Sequence, residues 1–214
     1  MADISHLELH IPTLVMLGIL SGAISTFAYL PYIIDTIRGN TRPQRASWLI
    51  WSILGAIAFS SQAYEGAGNS LLFTSVQVSG TIIVLLLSIS AGGGALLRRS
   101  DCLVLCIAAL GLLAWYHTDD ASYALAFTIG ISLLGATTTI ARAYRDPDSE
   151  TLSTWSCSFI ASIFAIASVG ELNWVILAYP LYLLALNGAI VAAIMLGRLR
   201  SMDRPVFAQS PASI

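Results

Sequence analysis

Five side chains with hydrogen-bonding or aromatic character stand inside apolar stretches, where they could contact a small molecule. Trp48 and Trp51 are one helical turn apart, and Trp155 follows much later in the chain. An indole offers a flat apolar face and one N–H donor. Gln77 and Asn187 each offer an amide that donates and accepts, and in hydrocarbon such a group must face protein or water. We predict that these five residues bind a solute.

Each candidate also has a purely structural interpretation. Trp side chains anchor helices at membrane interfaces, which could explain Trp48 and Trp155. The two amides could hydrogen-bond between helices, a contact worth about 0.6 kcal/mol on average. Tyr179 and Tyr182 are expected in an aromatic belt near the outer half of the last helix. The sequence leaves the structural and the solute-binding interpretations open.

No signature of an enzyme, a metal site or a cofactor accompanies these residues. His6, His10 and His117 lack partners at the spacing that a zinc site needs. The chain has no lysine, which excludes a retinal Schiff base. It also has neither a Walker nor a Rossmann glycine pattern. We therefore expect no catalytic residue, no metal and no cofactor, and the chain is not predicted to be an enzyme.

Seven apolar segments must position the candidate residues. Hydrophobic residues make up 57% of the chain and charged residues 10%, whereas a soluble domain has about 25% charged residues. A spanning helix needs about 20 mostly apolar residues. Segments near this length cover 12–34, 47–64, 70–91, 101–116, 121–144, 154–170 and 174–197. The sequence predicts an all-α integral membrane protein with seven transmembrane helices.

The basic residues all fall on one side of a membrane when these segments are threaded in order. They are ten arginines in the first, third and fifth connections and the C-terminal tail: Arg38, Arg42, Arg45, Arg98, Arg99, Arg142, Arg145, Arg198, Arg200 and Arg204. Cytoplasmic loops carry such an excess. We expect a multi-pass protein of the cell membrane, in bacteria the inner membrane, with its N-terminus outside and its C-terminus in the cytoplasm. Topology and anionic headgroups explain the arginines, so no nucleic-acid partner is predicted.

The chain contains an internal repeat. A shift of 107 residues places Arg38 on Arg145 and Trp48 on Trp155 without a gap. Three helices per copy, joined by one linker helix, give two copies with the same orientation. Parallel repeats of this kind occur in transporters, with the substrate site between the repeats near the midplane.

The predicted organisation has five parts. They are an extracytoplasmic N-terminus at 1–11, a first three-helix repeat at 12–91, a linker with the fourth helix at 92–120, a second three-helix repeat at 121–197 and a cytoplasmic tail at 198–214. We expect a solute cavity between the first three and the last three helices. A homo-oligomer remains open.

The order of three, one and three helices resembles the SWEET and PQ-loop superfamily over nearly the whole chain. The family's Pro-Gln pair near the cytoplasmic end of the first helix stands here as Pro31-Tyr32, and as Thr138-Thr139 in the second repeat. The resemblance implies that Asn187, in the third helix of its repeat, contacts substrate. Pro31 removes a backbone hydrogen bond, so it is a hinge or a static kink. The prolines that sugar carriers have in both second helices are missing here.

These observations predict a transporter or facilitator of a small polar or aromatic solute, such as a sugar, a vitamin precursor or an amino-acid-like compound. Alternating access between the two repeats would move the solute across the bilayer. The alternative is a membrane receptor or sorting module on the same scaffold that binds without transporting, since one fold hosts several functions.

Overall fold

The computed structural model describes residues 4–39, 45–90, 99–170 and 172–202. These residues form seven α-helices and no strand, so the predicted all-α class is confirmed. The helices are α1 Ile4–Ile37, α2 Arg45–Tyr64, α3 Leu71–Ser90, α4 Arg99–Thr118, α5 Ala121–Arg145, α6 Leu152–Ala167 and α7 Trp174–Met202. A short 3-10 turn at Pro147–Ser149 connects α5 to α6.

Most helix ends differ from the predicted segments by one or more residues, and three of these differences have a clear physical reason. The first helix begins at Ile4, so residues 4–11 belong to α1, and it continues through Pro12 without a break. The last helix runs on to Met202, because the basic residues of its final turns suit the negative end of the helix dipole. The sixth helix ends early, at Ala167. There Ser168 donates from its backbone and its hydroxyl to carbonyls of the last turn.

Apolar side chains cover the outside of the bundle. Met16, Phe27, Leu172 and Trp174 each expose more than 60% of their surface. Three stretches are long and apolar enough to cross a membrane: Pro12–Ile37, Leu71–Ser90 and Trp174–Ser201. Because a soluble monomer rarely exposes so much contiguous apolar surface, these features fit a membrane protein.

The inside of the bundle is partly polar but uncharged. Buried side chains include the hydroxyls of Ser21, Ser25 and Thr128 and the amides of Gln62 and Asn187. No charged side chain is buried in the described part of the chain. Hydroxyls and amides can be satisfied between helices or back to their own helix. The interior therefore combines neutral polar groups with apolar side chains, while many large apolar groups also face outward.

The helices pack in corresponding pairs. The third helix, α3, packs against both α1 and α2, and α7 packs in the same way against both α5 and α6. The first three helices meet the last three through α1 with α6 and through α2 with α5. Smaller contacts join α3 to α6 and α7 to α2, while α4 packs mainly on α5. Exchanging α1, α2 and α3 with α5, α6 and α7 leaves the pairs among these six helices unchanged, whereas α4 packs on one side only.

Glycines bring α1 and α3 into close contact. A Cβ added at Gly18 would lie 2.5 Å from the carbonyl oxygen of Asn69, and one added at Gly80 would lie 2.7 Å from the Tyr29 ring. The contacts advance along both helices in the same sense, so α1 and α3 run in parallel. This close approach decides which side chains of α1 and α3 meet.

Candidate functional site

Two of the predicted aromatic residues, Trp48 and Trp51, form one group with Tyr32 near the end of α1 and the start of α2. The Trp48 ring centroid lies 5.1 Å from that of Tyr32 and 5.2 Å from that of Trp51. Trp48 is 9% exposed, and Trp51 is partly buried. The structure therefore brings Trp48 and Trp51 together, directly beside the Pro31-Tyr32 pair.

The repeat counterpart, Trp155, has a different neighbourhood. Its indole N–H donates to a carboxylate oxygen of Glu150 at 3.0 Å. The ring packs beside the buried group formed by Ala143, Ile190 and Ile194. Trp155 thus joins the loop before α6 to the ends of α5 and α7, and its N–H donor is already in use.

Gln77 is buried at 8% exposure and pairs with α1. The Tyr29 hydroxyl donates to the Gln77 side-chain oxygen at 2.7 Å and also lies 3.3 Å from its backbone oxygen. The Tyr29 ring reaches this position because Gly80 leaves room for it. Sequence reasoning identified Gln77 as a buried amide but missed Tyr29, which stands four residues after the buried Ser25 on the same helix face.

Asn187 is 3% exposed and faces α6. Its amide nitrogen donates to the Ser162 hydroxyl over 3.4 Å, which is a long hydrogen bond. The Ser162 hydroxyl in turn donates to the Ser158 carbonyl. In the structure Asn187 therefore joins α7 to α6, and among the described residues no hydrogen bond links it to Gln77.

Tyr179 and Tyr182 do not form the expected belt. Tyr179 is only 8% exposed and packs with Ala58 and Leu125, which belong to α2 and α5. Tyr182, one turn along α7, lies close to Ser132 of α5. The belt interpretation was wrong because α7 lies against both α5 and α6, so these positions face the bundle.

Together these residues make a polar group at the centre of the bundle, which we name the tyrosine–glutamine cluster: Tyr29, Gln77, Ser132, Tyr179 and Tyr182. Tyr29 and Tyr179 lie close enough to interact electrostatically, and the Tyr179 and Tyr182 ring centroids are 6.2 Å apart. Helices α1 and α3 supply two members, and α5 and α7 supply three. Its hydroxyls, amide and ring faces can hydrogen-bond and stack, but they cannot neutralise a charge.

Several buried polar atoms near this centre have no hydrogen-bond partner among the described residues. They are the hydroxyls of Ser25, Ser61 and Thr128 and the amide nitrogen of Gln62, whose oxygen accepts from Thr74 at 2.8 Å. An unpaired buried polar group costs about 1–3 kcal/mol. Such atoms inside an apolar bundle indicate positions that water or a solute could satisfy.

Aromatic side chains occupy the region between the two sets of three helices, where the sequence predicts a cavity. Phe73 of α3 packs on Ala161 and Ala165 of α6, while Tyr179 of α7 packs on Ala58 of α2. Two recesses occur at the ends of the bundle. One, of about 410 Å³, is lined by Ile166, Gly170, Leu172 and Leu177. The other, of about 70 Å³, is lined by Tyr144, Arg145, Pro147, Gly197, Arg200 and Ser201. None of the predicted solute-binding residues lines either recess.

Charged groups lie at the ends of the helices. Asp120 caps the start of α5, where the hydroxyl and the backbone N–H of Ser122 both donate to it, and these bonds hold the pKa of the Asp120 carboxyl below its usual range. Within the described ranges, no group of three or more His, Cys, Asp or Glu side chains is placed to hold a metal ion.

No family model, no curated protein and no solved structure matches this chain. The geometry therefore carries the functional argument. The tyrosine–glutamine cluster is a neutral polar centre in an apolar bundle, and both halves of the sequence contribute to it.

Proposed function

We propose that this chain is a membrane transporter or facilitator of a small polar or aromatic solute. Its seven helices would all cross the bilayer, as two parallel three-helix repeats joined by α4. Alternating access would expose the tyrosine–glutamine cluster first to one side and then to the other. On this proposal the protein is a divergent relative of the SWEET and PQ-loop superfamily.

The correspondence of helix pairs supports two repeats. Every contact between α1, α2 and α3 has its counterpart between α5, α6 and α7, and the contacts between the two sets also correspond. Ala58 and Ala165, which the 107-residue shift aligns, each receive an aromatic ring from the third helix of the other set. Two copies of one packing unit are the arrangement that alternating access requires.

The observation that carries the proposal is the tyrosine–glutamine cluster itself. Polar groups inside a membrane bundle are costly and mark solute or ion pathways. This cluster draws its members from both proposed repeats, so relative motion of the repeats would rearrange it. The absence of buried charge in the described residues favours an uncharged or internally neutralised solute.

The aromatic packing at the centre supplies a gate. Phe73 and Tyr179 fill the contacts between the repeats. Separation of α1 from α6, or of α2 from α5, would withdraw them and admit a solute. The filled centre corresponds to a closed state on this proposal.

The test begins with the purified chain and a thermal-shift screen against sugars, nucleosides, vitamins and amino acids. A ligand that binds the folded protein raises its melting temperature. The compound with the largest shift is then used, in labelled form, for counterflow into liposomes that contain the protein.

Tyr29→Phe is the decisive variant, because it removes one hydroxyl and keeps the ring. We expect at least about tenfold weaker counterflow, in line with a buried hydrogen bond lost from the site. Tyr123→Phe, at an exposed position of α5, is the matched control and should transport normally. Saturable binding without counterflow would instead favour the receptor or sorting alternative. Equal activity of both variants would remove the cluster from the pathway.

A further inference from the structure

The small recess at the arginine-rich end of the bundle is built by close contact between α5, the 3-10 turn and α7. A Cβ at Gly197 would lie 2.5 Å from the Tyr144 carbonyl oxygen and 2.7 Å from the Pro147 ring. Glycine therefore allows α7 to approach the end of α5. The approach leaves about 70 Å³ of space beside the contact.

Two arginines line this recess, and none of the described residues that line it is acidic. Arg145 and Arg200 share its wall with Tyr144 and Ser201. The Arg200 guanidinium lies 5.5 Å from the centre of the Tyr144 ring, and this cation–π contact orients it. Neither guanidinium makes an ion pair with a carboxylate among the described residues.

One of the neighbouring acidic side chains lies beside a different arginine. Asp148, on the 3-10 turn, lies 3.8 Å from Arg198. That pair is largely exposed, so its attraction is weak, but it directs the Asp148 carboxylate toward Arg198. Two positive groups thus remain together in a recess between two helix ends.

We propose that this recess binds the phosphate group of an anionic ligand at the cytoplasmic face of the membrane. A guanidinium matches phosphate oxygens with two parallel hydrogen bonds. Basic pockets between membrane helices on the cytoplasmic side bind phospholipid headgroups. The phosphate could belong to an anionic phospholipid or to a soluble phosphate compound. The proposal is independent of transport.

Thermal unfolding of the full chain in zwitterionic detergent tests the site. Phosphatidylglycerol, phosphatidylcholine and inorganic phosphate are titrated separately, each at the same ionic strength. We expect phosphatidylglycerol to raise the melting temperature and phosphatidylcholine to have no effect. A rise with inorganic phosphate as well would show that the phosphate group is sufficient. A rise with phosphatidylglycerol alone would assign the site to lipid. If neither phosphatidylglycerol nor inorganic phosphate raised the melting temperature, the proposal would be overturned.

Substitutions distinguish specific binding in the recess from general attraction by surface charge. Arg145→Gln and Arg200→Gln should each raise the Kd of the stabilising ligand about tenfold, because each removes a charge-assisted pair of hydrogen bonds. Arg38→Gln removes the same charge from an exposed position at the end of α1, outside the recess, and it should raise the Kd of the ligand by less than about twofold. All three positions are exposed, so the unliganded proteins should melt alike. Equal weakening by all three substitutions would reduce the site to general electrostatic attraction.

Discussion

At the residue scale, the contact between Gly80 and Tyr29 decides the geometry of the tyrosine–glutamine cluster. Gly80 leaves the space in which the Tyr29 ring lies, and the ring carries its hydroxyl to Gln77. A methyl group at this position must displace the ring or separate α1 from α3. The polar contact therefore depends on a residue that makes no polar contact itself.

Gly80→Ala should destabilise the protein by about 1–3 kcal/mol, the usual cost of overpacking. Gly130→Ala is the matched control in α5, because a Cβ there would meet nothing within 4 Å. That change should leave stability equal or raise it slightly, since alanine favours a helix. Thermal unfolding of both variants in detergent measures the difference. A Gly80→Ala protein as stable as wild type would show that α1 and α3 do not hold this close contact.

Substitution of Asn187 distinguishes the two interpretations of its buried amide, a solute contact and a contact between helices. As a solute contact it is needed for uptake, whereas as a helix contact it contributes about 0.6 kcal/mol. We predict that Asn187→Ala inserts and folds but abolishes uptake or binding. Ser162→Ala removes its hydrogen-bond partner and should preserve uptake, because Asn187 remains. Uptake at the wild-type level in a folded Asn187→Ala protein would leave Asn187 a packing residue.

The sequence identified Gln77 and Asn187 as buried amides because a polar side chain within an apolar membrane helix must face protein or water. It could not pair Gln77 with Tyr29, or Asn187 with Ser162. Such pairs depend on which helix faces meet. The sequence hardly reveals those faces, because lipid and neighbouring helices are equally apolar and the hydrophobic periodicity of the helix is weak. The inward direction of Tyr179 was missed for the same reason.

At the element scale, seven helices were predictable and their ends were less so. Length and apolar composition predict the helices directly. The extension of α1 to Ile4 was missed because Pro12 resembles a first-turn proline. The early end of α6 depends on bonds from Ser168 to the preceding turn, which the apolar pattern does not reveal.

Several contacts hold together the ends of α5 and α7 and the start of α6, at the arginine-rich end of the bundle. Glu150 accepts from Trp155, Asp148 lies near Arg198, and Gly197 fits against the end of α5. The loop after α5 is thereby attached to α6 and α7. On the transport proposal, this end moves as one body, and α1 with Pro31 in it is the element free to bend.

Pro31→Ala should slow transport and leave solute affinity largely intact. Proline removes one backbone hydrogen bond, so α1 bends there at low cost, and alanine would restore the bond and stiffen the helix. Thr138→Ala, at the corresponding position of α5, should change little. Initial rates and affinities of both variants provide the measurement. Equal slowing by the two substitutions, or lost affinity in Pro31→Ala alone, would contradict an asymmetric hinge.

At the scale of the whole molecule, the arginine distribution and the parallel packing of α1 and α3 together predict how the helices cross the membrane. Parallel α1 and α3 require α2 to cross in the opposite direction. If every later helix also crosses, all ten arginines share one side. The residues between α4 and α5 then lie outside, and those between α5 and α6 lie in the cytoplasm. A fourth helix that did not cross would move Arg145, Arg198 and Arg200 to the outer side.

Cysteine labelling in intact cells tests this claim in a background where Cys102, Cys106 and Cys157 are replaced by serine. A cysteine at Thr118, exposed at the end of α4, should react with a membrane-impermeant maleimide. One at Ser149, in the 3-10 turn, should react only after the membrane is permeabilised. Positively charged loops stay in the cytoplasm, and a crossing α5 puts the two positions on opposite sides. Labelling of both positions in intact cells, or of neither, would show that α5 does not separate them across the membrane and would remove the basis for two parallel repeats.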